Sequence, residues 1–188
     1  MVFTAVFDAC VLYSAPLCDL LLQLATAKLF RARWTDMIHD EWIKAAIDRR
    51  PDIDPARLTR RRELMNAHAE DCLVTDYEPL IGAMSLPDLD DRHVVAAAVK
   101  CGADVIVTFN LRDFPESVLG VYGMEAQHPD VFVRHLIDLR PGVVVSSVRT
   151  VRSRLTNPVM SADNYLLNLE RQGLVATVAE LRAFRNVI

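Results

Sequence analysis

The stretch DLDDRHVVAAAVKCGADVIVTFNLRDFP, residues 88–115, decides the fold. Asp88, Asp90 and Asp91 precede the apolar run VVAAAV, which places a helix start there and a helix to about Lys100. Asp90 is the candidate N-cap and Gly102 the natural residue to end that helix. DVIVTF, residues 104–109, is then the clearest strand of the chain, followed by the turn-rich loop NLRDFP. A helix, a glycine turn, a strand and a polar loop make half of a βαβ unit. In parallel sheets built from such units, ligands sit at the carboxyl ends of the strands. Asn110 and Asp113 lie at that end.

Working outward, VFTAVF at residues 2–7 reads as a short buried strand ending at Asp8. Pro16 opens a helix to about Phe30, with Leu17, Leu20, Leu21 and Leu24 on one face. Thr35 is a good N-cap for a helix over 36–49, with Met37, Ile38 and Trp42 expected inward and Pro51 ending it. Pro55 begins an arginine-rich helix to about Glu70, and CLVT at 72–75 is a candidate second strand. A short helix is expected after Pro115, a short strand near 124–127 and a helix from Pro129 to about Leu139. This alternation predicts an α/β fold with a parallel sheet covered by helices on both faces. Beyond Arg140-Pro141-Gly142 the texture changes. Residues 143–156, 161–173 and 175–186 read as helices separated by Asn157-Pro158 and Gly173. The expected division is an α/β domain at 1–140 and a small all-helical extension at 141–188.

The composition agrees with an ordinary globular chain. Of 188 residues, 52% are hydrophobic and 24% charged, with a formal net charge of −4, which excludes disorder as the main state. No apolar run reaches the roughly 18 residues a spanning helix needs, so no membrane role is expected. The opening MVFTAVFDACVLYSAPLC lacks a basic leader region, which predicts a cytoplasmic protein. Cys10, Cys18, Cys72 and Cys101 form no CxxC pair and read as reduced, mostly buried thiols.

Four acids stand at strand ends or on helices adjoining the presumed active edge: Asp8, Glu41, Asp91 and Asp113. Crowded carboxylates resist joint ionisation, and a hard divalent cation with oxygen ligands is the usual remedy. Mg²⁺ suits such a site, Mn²⁺ accepts it, and either acidifies a water for attack on a phosphate. Each acid also has an ordinary reading. Asp8 can cap the loop after a strand, and Glu41 beside Asp40 can be a solvated helix charge. One of the acids at 88–91 can cap a helix, and Asp113 can be a turn residue. A phosphoacceptor receiver also gathers acids at strand ends, but it needs a lysine after a late strand. Lys28, Lys44 and Lys100 are not so placed.

These segments resemble the PIN-domain nucleases and, within them, the VapC-type toxins of bacterial toxin–antitoxin pairs. The resemblance rests on residues 88–115, on VFDACVLYSAP at 6–16 and on WTDMIHDEWI at 34–43, in the expected order. It covers roughly residues 2–139. It implies a three-layer α/β/α fold with a central, mostly parallel sheet. It also implies Mg²⁺ or Mn²⁺ as cofactor, and cleavage of single-stranded or looped RNA to 5′-phosphate and 3′-hydroxyl ends. Asp8, Glu41, Asp91 and Asp113 match the family's catalytic, metal-binding acids. Thr108 and Asn110 match the polar residues beside them, which orient waters or ligands. One departure is Ala9-Cys10, where many members carry a Ser, Thr or Asn after the first acid; a hydroxyl or amide that orients a ligand is missing there. The resemblance also implies a protein antitoxin and a homodimer.

Arg49, Arg50, Arg57, Arg60, Arg61 and Arg62 fall close together and are candidates for RNA phosphate contacts. Their alternative is a solvated face paired with Asp48, Asp52, Asp54 and Glu63. Arg112, beside Asp113, is a candidate substrate contact, and Arg149, Arg152 and Arg154 form a further weak set. His39 and His93 flank the acids and read as structural histidines before outer ligand-orienting groups. A groove between the early helices can accept an antitoxin helix, with Leu17, Leu21 and Trp42 as its lining if exposed. The main reading is thus a metal-dependent endoribonuclease of toxin type. The alternative is a non-catalytic RNA- or partner-binding module on the same fold.

Overall fold

Residues 2–188 are described by a computed structural model. The chain begins with β1 (Thr4–Phe7), the short α1 (Ala9–Tyr13) and α2 (Ala15–Thr26), and returns through β2 (Arg31–Arg33). A helical stretch follows: α3 (Asp36–Arg49), α4 (Pro55–His68), α5 (Glu78–Ile81) and α6 (Arg92–Cys101). Then come β3 (Val105–Val107), α7 (Glu116–Leu119), β4 (Glu125–Gln127) and α8 (Pro129–Leu139). Helices α9 (Pro141–Arg154), α10 (Ala162–Arg171) and α11 (Val175–Leu181) complete the fold. Among the described residues no helix is long and apolar enough to cross a membrane.

The sheet order is β2-β1-β3-β4 and every pairing is parallel. From β1 the chain first steps to one side, to β2, and later crosses to the other side, to β3. Right-handed crossovers then put the connecting helices on opposite faces of the sheet. The result is the expected α/β/α arrangement with helices appended at the C-terminus. On one face Phe3 and Phe7 of the first strand region meet Phe30 and Phe132 of α8, mostly edge to face, with centroids 5.0–6.0 Å apart. Burying each such ring contributes roughly 2–3 kcal/mol. Helix α6, with Val94 to Ala98 wholly buried, packs on β1 and β3. Its small alanines allow close approach.

Two of the three anticipated caps are present. Thr35 Oγ1 accepts the Ile38 N–H at 3.1 Å, and Gly102 ends α6 at φ 61°. Several expectations need correction. The helix expected from Pro16 is preceded by α1, a separate turn of helix whose five residues are too few for a periodic signal. The second strand is Arg31–Arg33 rather than 72–75; Leu73 makes only a single bridge to Trp34. Met37 is 41% exposed, because the inward stripe of α3 runs through Ile38, Trp42 and Ala46. Asp91, not Asp90, is the residue flanking α6, while Asp88 Oδ1 accepts the Asp90 N–H in a local turn. Leu17, Leu21 and Trp42 are wholly buried, so they cannot line a docking groove. All four cysteines are free thiols.

Candidate active site

Strand order reverses between β1 and β3, and in open α/β sheets that switch point is where a crevice opens. Asp8 follows β1 there and Thr108 follows β3. The Thr108 hydroxyl donates to Asp8 Oδ2 at 2.6 Å and accepts the Asn110 N–H at 2.9 Å. The Cys10 thiol, on the second residue of α1, donates to the same Oδ2 at 3.0 Å and accepts the Phe109 N–H at 3.3 Å. Burial and the neighbouring Asp8 push the Cys10 thiol up to about 12, so it is a protonated donor at neutral pH. The donor that seemed missing after the first acid is therefore supplied by sulfur. Asp8 itself is buried and takes both side-chain hydrogen bonds on one oxygen.

A cavity of about 300 Å³ lies over this edge, lined by Asp8, Cys10, Tyr13, Glu41, Arg49, Asp91 and Asn110 among others, with buried Trp42 in its wall. Helix α3 delivers Glu41, Ala45 and Arg49 from one face, since residues four apart stack along a helix. Glu41 Oε1 receives a hydrogen bond from Nε2 of the buried His93 at 2.6 Å. His93 is thus a group that orients a site acid, the role ranked second in the sequence. His39 is structural, with Nδ1 on the Trp42 indole N–H and Nε2 on Asn66.

Asp91 reaches the cavity from the start of α6. Its side chain caps nothing there. Burial, then the charges of Asp8, Asp88, Asp113 and Glu41, raise its pKa to about 7. Asp113 lies on the 3-10 turn at 111–113, outside the cavity lining but close enough for its charge to be felt. Arg112 is exposed on the same turn and outside the lining. Three of the four acids and Asn110 therefore share one cavity, with Thr108 fixing Asp8 from beneath.

Among the described residues no three His, Cys, Asp or Glu side chains are arranged to hold a metal ion as they stand. The donor chemistry nevertheless suits a hard cation: three carboxylates supply oxygen donors, the Cys10 thiol beside them is protonated, and the half-buried Asp91 has its ionisation held back by its neighbours.

The arginine cluster disperses on folding. Arg50 pairs with Asp52, Arg60 with Glu63, and Arg62 with Asp36 and Asp40. Arg61 donates to the Leu12 and Tyr13 carbonyls and stacks on Trp42. Arg152 is held by the Met160 carbonyl. Only Arg49 of the cluster lines the acid cavity. That role was not singled out in the sequence, although the i, i+4, i+8 spacing of Glu41, Ala45 and Arg49 carries it.

The family profile described as PIN domain matches residues 4–112, more than half of the chain and the part that builds this cavity. The chain belongs to the PIN domain family. A second profile, described as VapC50 C-terminal domain, matches residues 129–183, from the start of α8. A curated protein of Mycobacterium tuberculosis (strain ATCC 25618 / H37Rv), described as "Putative ribonuclease VapC50", is 49% identical over 63 residues. That alignment spans 34% of this chain and 37% of the relative, so the chain matches little more than a third of the relative's length. No solved structure matches. In this PIN domain the C-terminal helices reach the edge that carries the cavity: Ser14 donates to Gln172, and Gly173 lies so close to Phe109 that a Cβ there would meet its ring at 3.2 Å.

Proposed function

We propose that this chain is a metal-dependent endoribonuclease, the toxin of a type II toxin–antitoxin pair. The observation that carries this is the convergence of Asp8, Glu41 and Asp91 on one cavity at the switch point of a PIN-domain sheet. The relative's description as a ribonuclease supports it. Asp8, Asp91 and Glu41 would hold Mg²⁺ or Mn²⁺, with Asp113 completing the set. A bound cation supplies Lewis acidity toward a phosphate oxygen and a water made nucleophilic near neutral pH.

The chain's own residues do the rest. Thr108 and Cys10 fix Oδ2 of Asp8 and leave Oδ1 for the ligand. His93 fixes Glu41 in the same way. Asn110 lines the cavity beside them. Asp91, raised to about 7 by burial and its acidic neighbours in the metal-free chain, would be held ionised by a bound cation. Residues 1–140 carry the chemistry on this reading, and 141–188 form the extension. RNA is the substrate, a protein antitoxin the inhibitor and a second copy of the chain a further partner. Arg112 remains a candidate for contact with RNA away from the cavity.

Incubation of a structured RNA pool with the purified protein, in Mg²⁺, in Mn²⁺ and in EDTA, tests the proposal beside Asp8→Asn. Cleavage that needs metal and disappears in the variant is expected. Equal cleavage by the variant, or RNA binding indifferent to EDTA with no cleavage in any buffer, would overturn it in favour of a binding module.

A further inference from the structure

A cavity walled by three carboxylates repels a polyanion, and a cation held by those acids would offset that charge only at the phosphate being cut, so the neighbouring phosphates call for positive charge from the chain itself. Resting on the nuclease reading above, we infer that Arg49, braced by Tyr13, is a binding residue for a backbone phosphate of single-stranded RNA next to the one being cut. Arg49 lies in the last turn of α3 and lines the same cavity as Asp8, Glu41 and Asp91. It is exposed, and among the described residues it makes no ion pair, although its neighbours Arg50, Arg60 and Arg62 all do. Its guanidinium sits 4.9 Å over the Tyr13 ring, which also lines the cavity. A ring beneath the guanidinium limits its motion while leaving its N–H groups free for an anion.

Spacing assigns the phosphate. Glu41 and Arg49 are eight residues apart on one helix face, about 12 Å along the axis. Arg49 therefore stands two turns of helix from Glu41 along the cavity, on the side of a neighbouring phosphate. Ala45, between them, keeps the trough open with the smallest side chain compatible with a helix. The alternative role for Arg49, a charge complementing the helix end, would contribute only to stability.

Binding of a fluorescent single-stranded RNA oligonucleotide to the full chain carrying Asp8→Asn, with and without Arg49→Ala, tests this across a salt series. Wild-type protein in EDTA serves as the second scaffold. Arg49→Ala is expected to weaken binding about tenfold and to reduce the slope of log K against log salt by about 0.7, as the loss of one single-strand phosphate contact requires. Arg49→Lys should restore the slope but only part of the affinity, and Tyr13→Ala should weaken binding while keeping the slope. In the active protein Arg49→Ala should raise KM more than it lowers kcat. An unchanged affinity and slope with intact metal-dependent cleavage overturns this inference alone. Arg49-dependent binding without cleavage by the active protein keeps Arg49 as a phosphate-binding residue, overturns the nuclease and with it the placement beside a cut phosphate. No RNA binding by either scaffold overturns it as well.

Discussion

In the C-terminal helices acidic side chains meet donors. Asp130 at the start of α8 accepts the Ala176 and Thr177 N–H groups, both at 2.8 Å, and so caps α11 from another helix. Glu180 pairs with Arg134 and Glu170 with Arg182. At the carboxyl edge of the sheet the acids instead face one another. Asp91 has no cap bond and has Asp8, Asp88, Asp113 and Glu41 as electrostatic neighbours. Asp130 lowers the free energy of the fold, whereas Asp91 raises it at neutral pH. A carboxylate kept in place at such a cost implies a task that folding does not explain.

The contrast breaks most severely at Asp8. Asp8→Asn should lower RNA cleavage by more than the roughly hundredfold that an outer partner of a metal site commands, with near-normal circular dichroism. Next in size, Thr108→Val removes the 2.6 Å donor to Asp8 and should reduce cleavage about ten- to a hundredfold. Cys10→Ser, which keeps a donor at that oxygen, should stay within a few fold. A Thr108→Val enzyme at full activity would show that the orientation of Asp8 is irrelevant.

Asp91→Asn should separate function from stability. The folded-state pKa of Asp91, about 7, lies above the unfolded value near 3.9. Between those values the folded chain holds more protons than the unfolded one. The group therefore favours folding fully below about pH 4, and the benefit is lost as pH rises through about 7. Urea unfolding of the metal-free protein should show stability falling between pH 5 and pH 8, and Asp91→Asn should flatten that fall. With the discount a half-exposed group requires, the gain at pH 8 is roughly 1–2 kcal/mol, alongside loss of cleavage. The smallest effect belongs to the other region: Asp130→Ala should lower stability by about 1 kcal/mol and leave cleavage unchanged.

What the sequence made legible was local. The β-branched run at 105–107, the Thr35 cap and Gly102 each announce themselves within a few residues. Strand β2 does not, because Arg-Ala-Arg has no strand pattern of its own and exists by pairing with Thr4–Val6. The acids were legible as residue types at strand ends; that Asp8, Glu41 and Asp91 share a cavity and Asp113 only borders it is tertiary information. The arginine cluster misled most, since density along the chain says nothing of partners. Four of its members are occupied by carboxylates or carbonyls, and Arg49 alone turns toward the acids. Trp42 was legible as an inward residue, and it is buried beneath Arg61 and bonded to His39, which removes it as a groove lining.

The bond from Thr108 to Asp8 joins residues 100 apart in the chain. Contacts of such long range form only after the intervening loop has closed, and they cannot form at all while one partner is still unmade. A ribosome must extrude the whole of β3 before the Asp8 carboxylate acquires the partner that orients it. During most of its own synthesis the nascent chain therefore carries an Asp8 that Thr108 does not yet orient.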